Sequence, residues 1–274
     1  MTRILITGSN SGFGKLAALS LARQGHDVVA TMRNLAKGEE LRSVAASENL
    51  PIEIRSLDVC DPASVAAAIG DPNDLDVVVN NAGFEVAGAV EMVDDELLAR
   101  QFDTNVAGPL RVIRAVLPAW RHRGSGTVVN VSSIAGVVGT PFGGVYAASK
   151  HALEALSEAL HFETSVYGIR IRLVEPGRFD TGFRGNIITV PGWEGSEYAA
   201  RSDRFRASQG ALSGDGPEPD PQDVADAIIT AALDPDAPFR QFVGGDAQLI
   251  SSVKASMTFE EFEATMRATL DWYD

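Results

Sequence analysis

Cysteine is nearly missing from this chain. Cys60 is the single one among 274 residues, which excludes an internal disulfide and any multi-cysteine metal site. Histidine is also sparse: His26, His122, His151 and His161 fall at no ligand spacing, so no metal is expected. No apolar run is long enough to span a bilayer, and Met1-Thr2-Arg3 passes into Ile4-Leu5-Ile6 with no room for a signal peptide. A cytoplasmic protein without a membrane partner is the expectation. Cations are the scarcer sign, 23 Lys and Arg against 37 Asp and Glu, for a net charge of −14. That balance argues against nucleic acid or an anionic membrane as partner. An anionic ligand would have to be held by backbone dipoles and a few placed cations. No linker divides the chain, and 45% hydrophobic content is enough for a single domain over residues 1–274.

What is present begins with Tyr146-Ala147-Ala148-Ser149-Lys150. Apolar residues recur at helical spacing from Val145 onward, with no Gly or Pro until Gly168, so Tyr146 and Lys150 share one helix face, one turn apart. A fixed ammonium stabilises a phenolate, and such a pair is suited to moving a proton on and off a hydroxyl.

Upstream, the strand Arg3 to Thr7 enters Gly8-Ser9-Asn10-Ser11-Gly12-Phe13-Gly14, followed by a helical pattern. Strand, glycine loop and helix start form a phosphate cradle, because the backbone can approach closely and the free amides attract charge. A second strand, Asp27 to Met32, ends at Arg33, where an Arg suits the 2′-phosphate of NADP and an acid would suit NAD. A helix over 35–46 leads to a third strand, Ile52 to Leu57, and Asp58 at its end either meets an adenine amino group or only turns the chain. Asp61-Pro62 starts the next helix. The fourth strand, Leu75 to Val79, runs into Asn80-Asn81-Ala82-Gly83, small residues over which a flat ring can pass.

A helix over 95–123 is expected to break near Gly108-Pro109, with Asn105 just before the break. Thr127 to Val131 is a fifth strand ending at Ser132-Ser133, Ile169 to Val174 a sixth ending before Pro176-Gly177, and Phe239 to Val243 the last. From 182 to 220 periodicity fails while Phe183, Trp193, Tyr198 and Phe205 persist, which reads as a substrate lid holding at least one short helix. Thr258 and Glu261 cap a final helix. Alternating strands and helices imply a doubly wound, Rossmann-type parallel sheet of about seven strands, three layers α/β/α, with sites outside the strand carboxyl ends.

Together, Thr7-Gly8-x-x-x-Gly12-x-Gly14, Asn80-Asn81-Ala82-Gly83, Asn105, Ser132-Ser133, Tyr146-x-x-x-Lys150 and Pro176-Gly177 with Thr181 resemble the short-chain dehydrogenase/reductase family, from Thr7 to about Thr181. The resemblance implies an NAD(P)-dependent oxidoreductase interconverting a secondary alcohol and a carbonyl compound. Tyr146 would be the acid/base. Lys150 would lower its pKa and hold the nicotinamide ribose, Ser133 rather than Ser132 would polarise the substrate oxygen, and Asn105 would hold a water linked to Lys150. Gly8, Asn10, Ser11, Gly12, Gly14, Arg33, Asp58, Asn81, Ala82, Gly83, Pro176, Gly177 and Thr181 would meet the cofactor, with Arg33 favouring NADP over NAD. A homodimer or homotetramer through the helices around 95–123 and 145–167 is implied by the resemblance alone. Phe142, Phe183 and Trp193 suggest a bulky apolar substrate. The contrasting reading is an NADP-sensing protein that keeps the fold without turnover.

Overall fold

The computed structural model describes residues 1–181, 185–209 and 219–270. The strands are β1 Arg3–Thr7, β2 Asp27–Met32, β3 Ile52–Ser56, β4 Val77–Asn80, β5 Glu85–Ala87, β6 Gly126–Val131, β7 Ile169–Pro176, β8 Ile187–Thr189 and β9 Arg240–Val243. The helices are α1 Gly12–Arg23, α2 Glu39–Ser47, α3 Pro62–Ile69, α4 Asp95–Phe102, α5 Gly108–Arg123, α6 Gly144–Thr164, α7 Ala199–Ser208, α8 Pro221–Leu233, α9 Gly245–Ser256 and α10 Phe259–Thr269.

Ile4, Leu5, Ile6, Val77, Val78 and Val79 are all fully or nearly fully buried, as unbroken apolar runs must be in strands covered on both faces. Among the described residues they belong to a seven-stranded parallel sheet of order β3-β2-β1-β4-β6-β7-β9. One apolar core lies under α1, α2 and α8 and the other under α3 and α5, which gives the three expected layers. Strand order reverses between β1 and β4, and a crevice opens at their carboxyl ends.

Local chemistry sets several element boundaries. The Asp61 side chain accepts from Ala63 N with Pro62 in the first turn of α3, and Thr258 and Glu261 form the expected capping box of α10. The helix expected over 35–46 begins as a tight 3₁₀ turn, Leu35–Gly38, with Gly38 pressed against the Met32 thioether. The break expected near Gly108-Pro109 lies earlier. Asp103–Ala107 forms a π-helical turn, Asn105 sits within it, and Pro109 opens α5, where a missing amide does no harm. Two features escaped the sequence: α9, and a two-stranded parallel sheet in which β5 pairs with β8. The stretch 182–220 contains β8, a turn at Trp193–Gly195 and α7. Phe183 lies outside the described residues.

Candidate active site

The cradle forms where β1 and β4 end. Thr7 Oγ1 accepts from Asn81 N and Ala82 N, both at 3.0 Å, and Asn81 Nδ2 donates back to Thr7 O at 2.9 Å and Gly8 O at 3.1 Å. The two loops therefore lock together, and side chains at the glycines would break the lock. A β-carbon on Gly14 would lie 2.4 Å from Asn81 Nδ2 and 2.7 Å from Gly8 O. Gly8 adopts φ +71°, and a β-carbon there would lie 2.9 Å from Ala82 Cα.

Beside this lock is a cleft of about 380 Å³ that brings together Gly8, Asn10, Ser11, Gly12, Arg33, Asp58, Asn81, Ala82, Gly83 and Thr181, and also Lys37 and Arg100. Gly14, Pro176 and Gly177 do not line it; Gly14 packs against Asn81 and Gly8, and Gly177 against Asp246. Ser11 at the start of α1 makes no side-chain cap, so the first-turn amides have no side-chain acceptor. Arg33 and Lys37 are exposed and make no ion pair among the described residues. A dinucleotide fits this donor set: glycine backbone and helix start for the pyrophosphate, Arg33 and Lys37 for a further phosphate. Asp58 lines the cleft, and its Oδ1 accepts from Cys60 N at 3.0 Å, the bond of a chain turn.

The catalytic candidates converge at the start of α6. Lys150 is buried, donates to Val131 O at 2.9 Å, and lies 5.7 Å from the centroid of the Tyr146 ring. Burial lowers its pKa to about 8, with Glu154, one turn further along α6, pulling the other way. Asn105 satisfies Phe84 rather than the helix, accepting from Phe84 N at 3.2 Å and donating to Phe84 O at 3.0 Å. It also donates to Ser149 Oγ at 3.2 Å, and Ser149 donates to Tyr146 O at 2.7 Å. Gly83 separates Asn105 from Lys150: a β-carbon on it would be 3.3 Å from Asn105 Oδ1 and 3.9 Å from Lys150 Nζ.

Ser133 accepts from Ala135 N at 3.1 Å and hydrogen-bonds the Tyr146 phenol. Ser132 is buried on the other side, with its hydroxyl toward Gly136 and Glu154. The surroundings of the phenol correct one expectation. Burial first, then the charge of Glu85, push the Tyr146 pKa well above its ordinary value, and the opposing influence is the Ser133 hydrogen bond rather than Lys150. The two groups of the helix face are close, yet desolvation outweighs any pull of the ammonium.

Sequence reasoning missed several supporting residues. Asp246, at the start of α9, accepts from Arg178 N at 2.8 Å and packs so tightly on Gly177 that a β-carbon there would lie 2.0 Å from its Oδ1. Arg240 forms ion pairs with Glu154, Glu158 and, at 2.8 Å, Glu175. Burial, then the Glu154 charge, raises the pKa of Glu175 to about 8. Lys37 had a legible signal, one 3₁₀ turn beyond Arg33. Glu85, two residues beyond Gly83, had none. No group of three His, Cys, Asp or Glu among the described residues could hold a metal ion.

Residues 2–190 match the family model for short chain dehydrogenases. The chain is 39% identical to the uncharacterized oxidoreductase YusZ of Bacillus subtilis over 83% of this chain and 83% of that protein. It is 37% identical to a 3-ketodihydrosphingosine reductase of Bacteroides thetaiotaomicron over 90% of this chain and 89% of that one. A short-chain dehydrogenase of Streptomyces avermitilis superposes with a TM-score of 0.79 at 33% identity, covering 98% of this chain and all of that one. Solved structures of the same fold include complexes with NADP and with NAD.

Proposed function

This chain belongs to the short-chain dehydrogenase family, and on that premise we propose that it is an NADP(H)-preferring reductase of bulky apolar ketones, running in reverse on the matching secondary alcohols. The general activity, an NAD(P)-dependent oxidoreductase acting on CH–OH groups, follows from the family. The single observation that carries the catalytic reading is the Ser133–Tyr146 hydrogen bond, with Lys150 5.7 Å from the Tyr146 ring centroid.

The nicotinamide, when bound, supplies or accepts the hydride. Gly8, Gly12 and the α1 start would hold its pyrophosphate, and Arg33 with Lys37 would distinguish a 2′-phosphate from a free hydroxyl. Ser133 donates to the substrate oxygen and stabilises the charge that develops there. Tyr146 then gives that oxygen its proton. A phenol held above its ordinary pKa stays protonated before the step, which is the state reduction requires. Lys150 offsets the phenolate left behind, and Asn105, reaching Lys150 across Gly83, would hold the water that returns the proton.

Aromatic contacts support a bulky substrate. The Phe142 ring lies 5.8 Å from that of Trp193 and 6.2 Å from that of Phe205, and Phe142 and Phe205 line a cavity of about 90 Å³ beside the start of α6. The relative named for 3-ketodihydrosphingosine agrees with a ketone as substrate. Segment 182–220 would act as the lid. Exposed Phe162 and Val166, 78% and 79% accessible near the end of α6, support pairing of subunits there. No helix among the described residues is long and apolar enough to cross a membrane, and a cytoplasmic location suits the reading.

The test is consumption of NADPH or NADH, followed by absorbance, with a series of apolar ketones. Turnover with NADPH ahead of NADH is expected. No consumption with any ketone, despite measurable cofactor binding, would favour the sensing protein instead.

A further inference from the structure

Beyond β7 the chain runs as a strap, residues 176–181, that touches the catalytic groups at one end and the glycine loop at the other. Ser133 Oγ lies 3.5 Å from Pro176 O, and Ser133 hydrogen-bonds the Tyr146 phenol. Phe179 packs edge-on against Phe13, beside Gly12, with ring centroids 5.7 Å apart. Thr181 also reaches this loop: a β-carbon on Gly12 would lie 3.7 Å from Thr181 Cβ. A dinucleotide with its pyrophosphate on the glycine loop and its reacting ring before Tyr146 has to lay its nicotinamide half along the strap. Its adenosine half lies elsewhere, because Arg33 and Asp58 follow β2 and β3, on the other side of β1.

One carboxylate holds the strap in place. Asp246, in the first turn of α9, is 4% exposed and makes no ion pair among the described residues. Its oxygens are divided between two backbone amides: Oδ2 accepts from Arg178 N and Oδ1 from Ala247 N, both at 2.8 Å. Gly177, whose amide donates to Val243 O at 2.9 Å, makes room for it. The three atoms nearest to a β-carbon on Gly177 are the carbon and both oxygens of the Asp246 carboxyl group, at 2.0 to 2.7 Å. Gly244 turns β9 into α9 at φ +100°, where a β-carbon would meet Asp246 Oδ1 at 2.9 Å and the Phe179 ring at 3.4 Å. The next turn of α9 rests on neighbouring parts of the site, Ala247 packing with Ile134 and Val138 just beyond Ser133. A buried carboxylate spent wholly on backbone amides fixes backbone, since withdrawing it leaves an N–H without a partner.

We propose that Asp246 is the positioning residue of the nicotinamide half of the site: through Arg178 N and Gly177 it fixes the strap against which the ring is laid before Tyr146, and it leaves the adenosine half alone. This rests on the oxidoreductase reading above and adds to it a residue that touches neither substrate nor cofactor.

The experiment measures binding to the full chain by calorimetry with two pairs of ligands, NADP with 2′-phospho-ADP-ribose and NAD with ADP-ribose. Each pair differs by the nicotinamide alone. Asp246→Asn keeps the shape and withdraws one acceptor, so Kd for NADP and NAD should rise by about tenfold, the scale of one hydrogen bond to a charged group. Kd for the two ligands without nicotinamide should stay within about twofold, which also reports that the variant is folded. Gly177→Ala, pressing its methyl group on the carboxyl, should give the same split in the wild-type chain and add little to it in Asp246→Ala, where the three nearest atoms are gone. Equal losses on all four ligands, no loss on any, or additive effects of the two substitutions would overturn the proposal. A split in binding from a chain that turns over no ketone would keep this role for Asp246 and remove the reductase reading.

Discussion

The cradle at the ends of β1 and β4 and the cavity between β5 and α7 are built differently. In the cradle, two loops lock each other: the Thr7 hydroxyl and the Asn81 side-chain amide reach the backbone of the opposite loop through four hydrogen bonds, and Gly14 fits because it has no side chain. In the cavity, side chains do the work, and they come from β5, a loop and α7, parts far apart in the chain. The carboxylates repeat the contrast. Glu154 and Glu175 share Arg240, whereas Glu85 makes no ion pair among the described residues.

If that division is right, Gly14→Ala damages only the cradle. Its methyl group would meet Asn81 and Gly8, and overpacking of this kind costs about 1–3 kcal/mol, so NADPH affinity should fall by about 10- to 100-fold in a fluorescence titration. An unchanged Kd would mean that the lock does not govern the cofactor.

Arg33→Ala sharpens the same side. Loss of one charge-assisted contact should lower kcat/KM for NADPH by about tenfold and leave NADH nearly unaffected. Equal effects on both would return Arg33 to the solvent.

The smallest effect is on stability. Glu175 titrates near 4.5 when unfolded and at about 8 when folded, so between those values the folded protein binds the extra proton and stability falls as pH rises. Glu175→Gln should flatten that fall in thermal unfolding between about pH 5 and pH 8. A wild-type Tm that rises over this window would contradict the assignment.

The same contrast explains what the sequence revealed. Strand ends, the glycine loop, Asn81-Ala82-Gly83 and Tyr146 with Lys150 are local patterns, and each specifies its own backbone geometry. Glu85, Asp246 and Arg240 matter only through partners distant in the chain: Glu85 through α7, Asp246 through Gly177, Arg240 through Glu154 and Glu175. The π-helical turn around Asn105 was displaced in the reading because Gly108-Pro109 is the stronger local signal, while the real cause is a long-range pair of bonds to Phe84. The influence of Lys150 on the phenol was overestimated because spacing says nothing of desolvation.

The central claim is that Tyr146 moves the proton, oriented by Ser133 and backed by Lys150. Tyr146→Phe keeps the ring and removes the hydroxyl, so NADPH titration and ketone turnover at saturating cofactor can be measured on the same variant. The account predicts a Kd within about twofold of wild type and a turnover lower by about 100-fold or more, the scale of general acid/base catalysis. Turnover near the wild-type rate would contradict it.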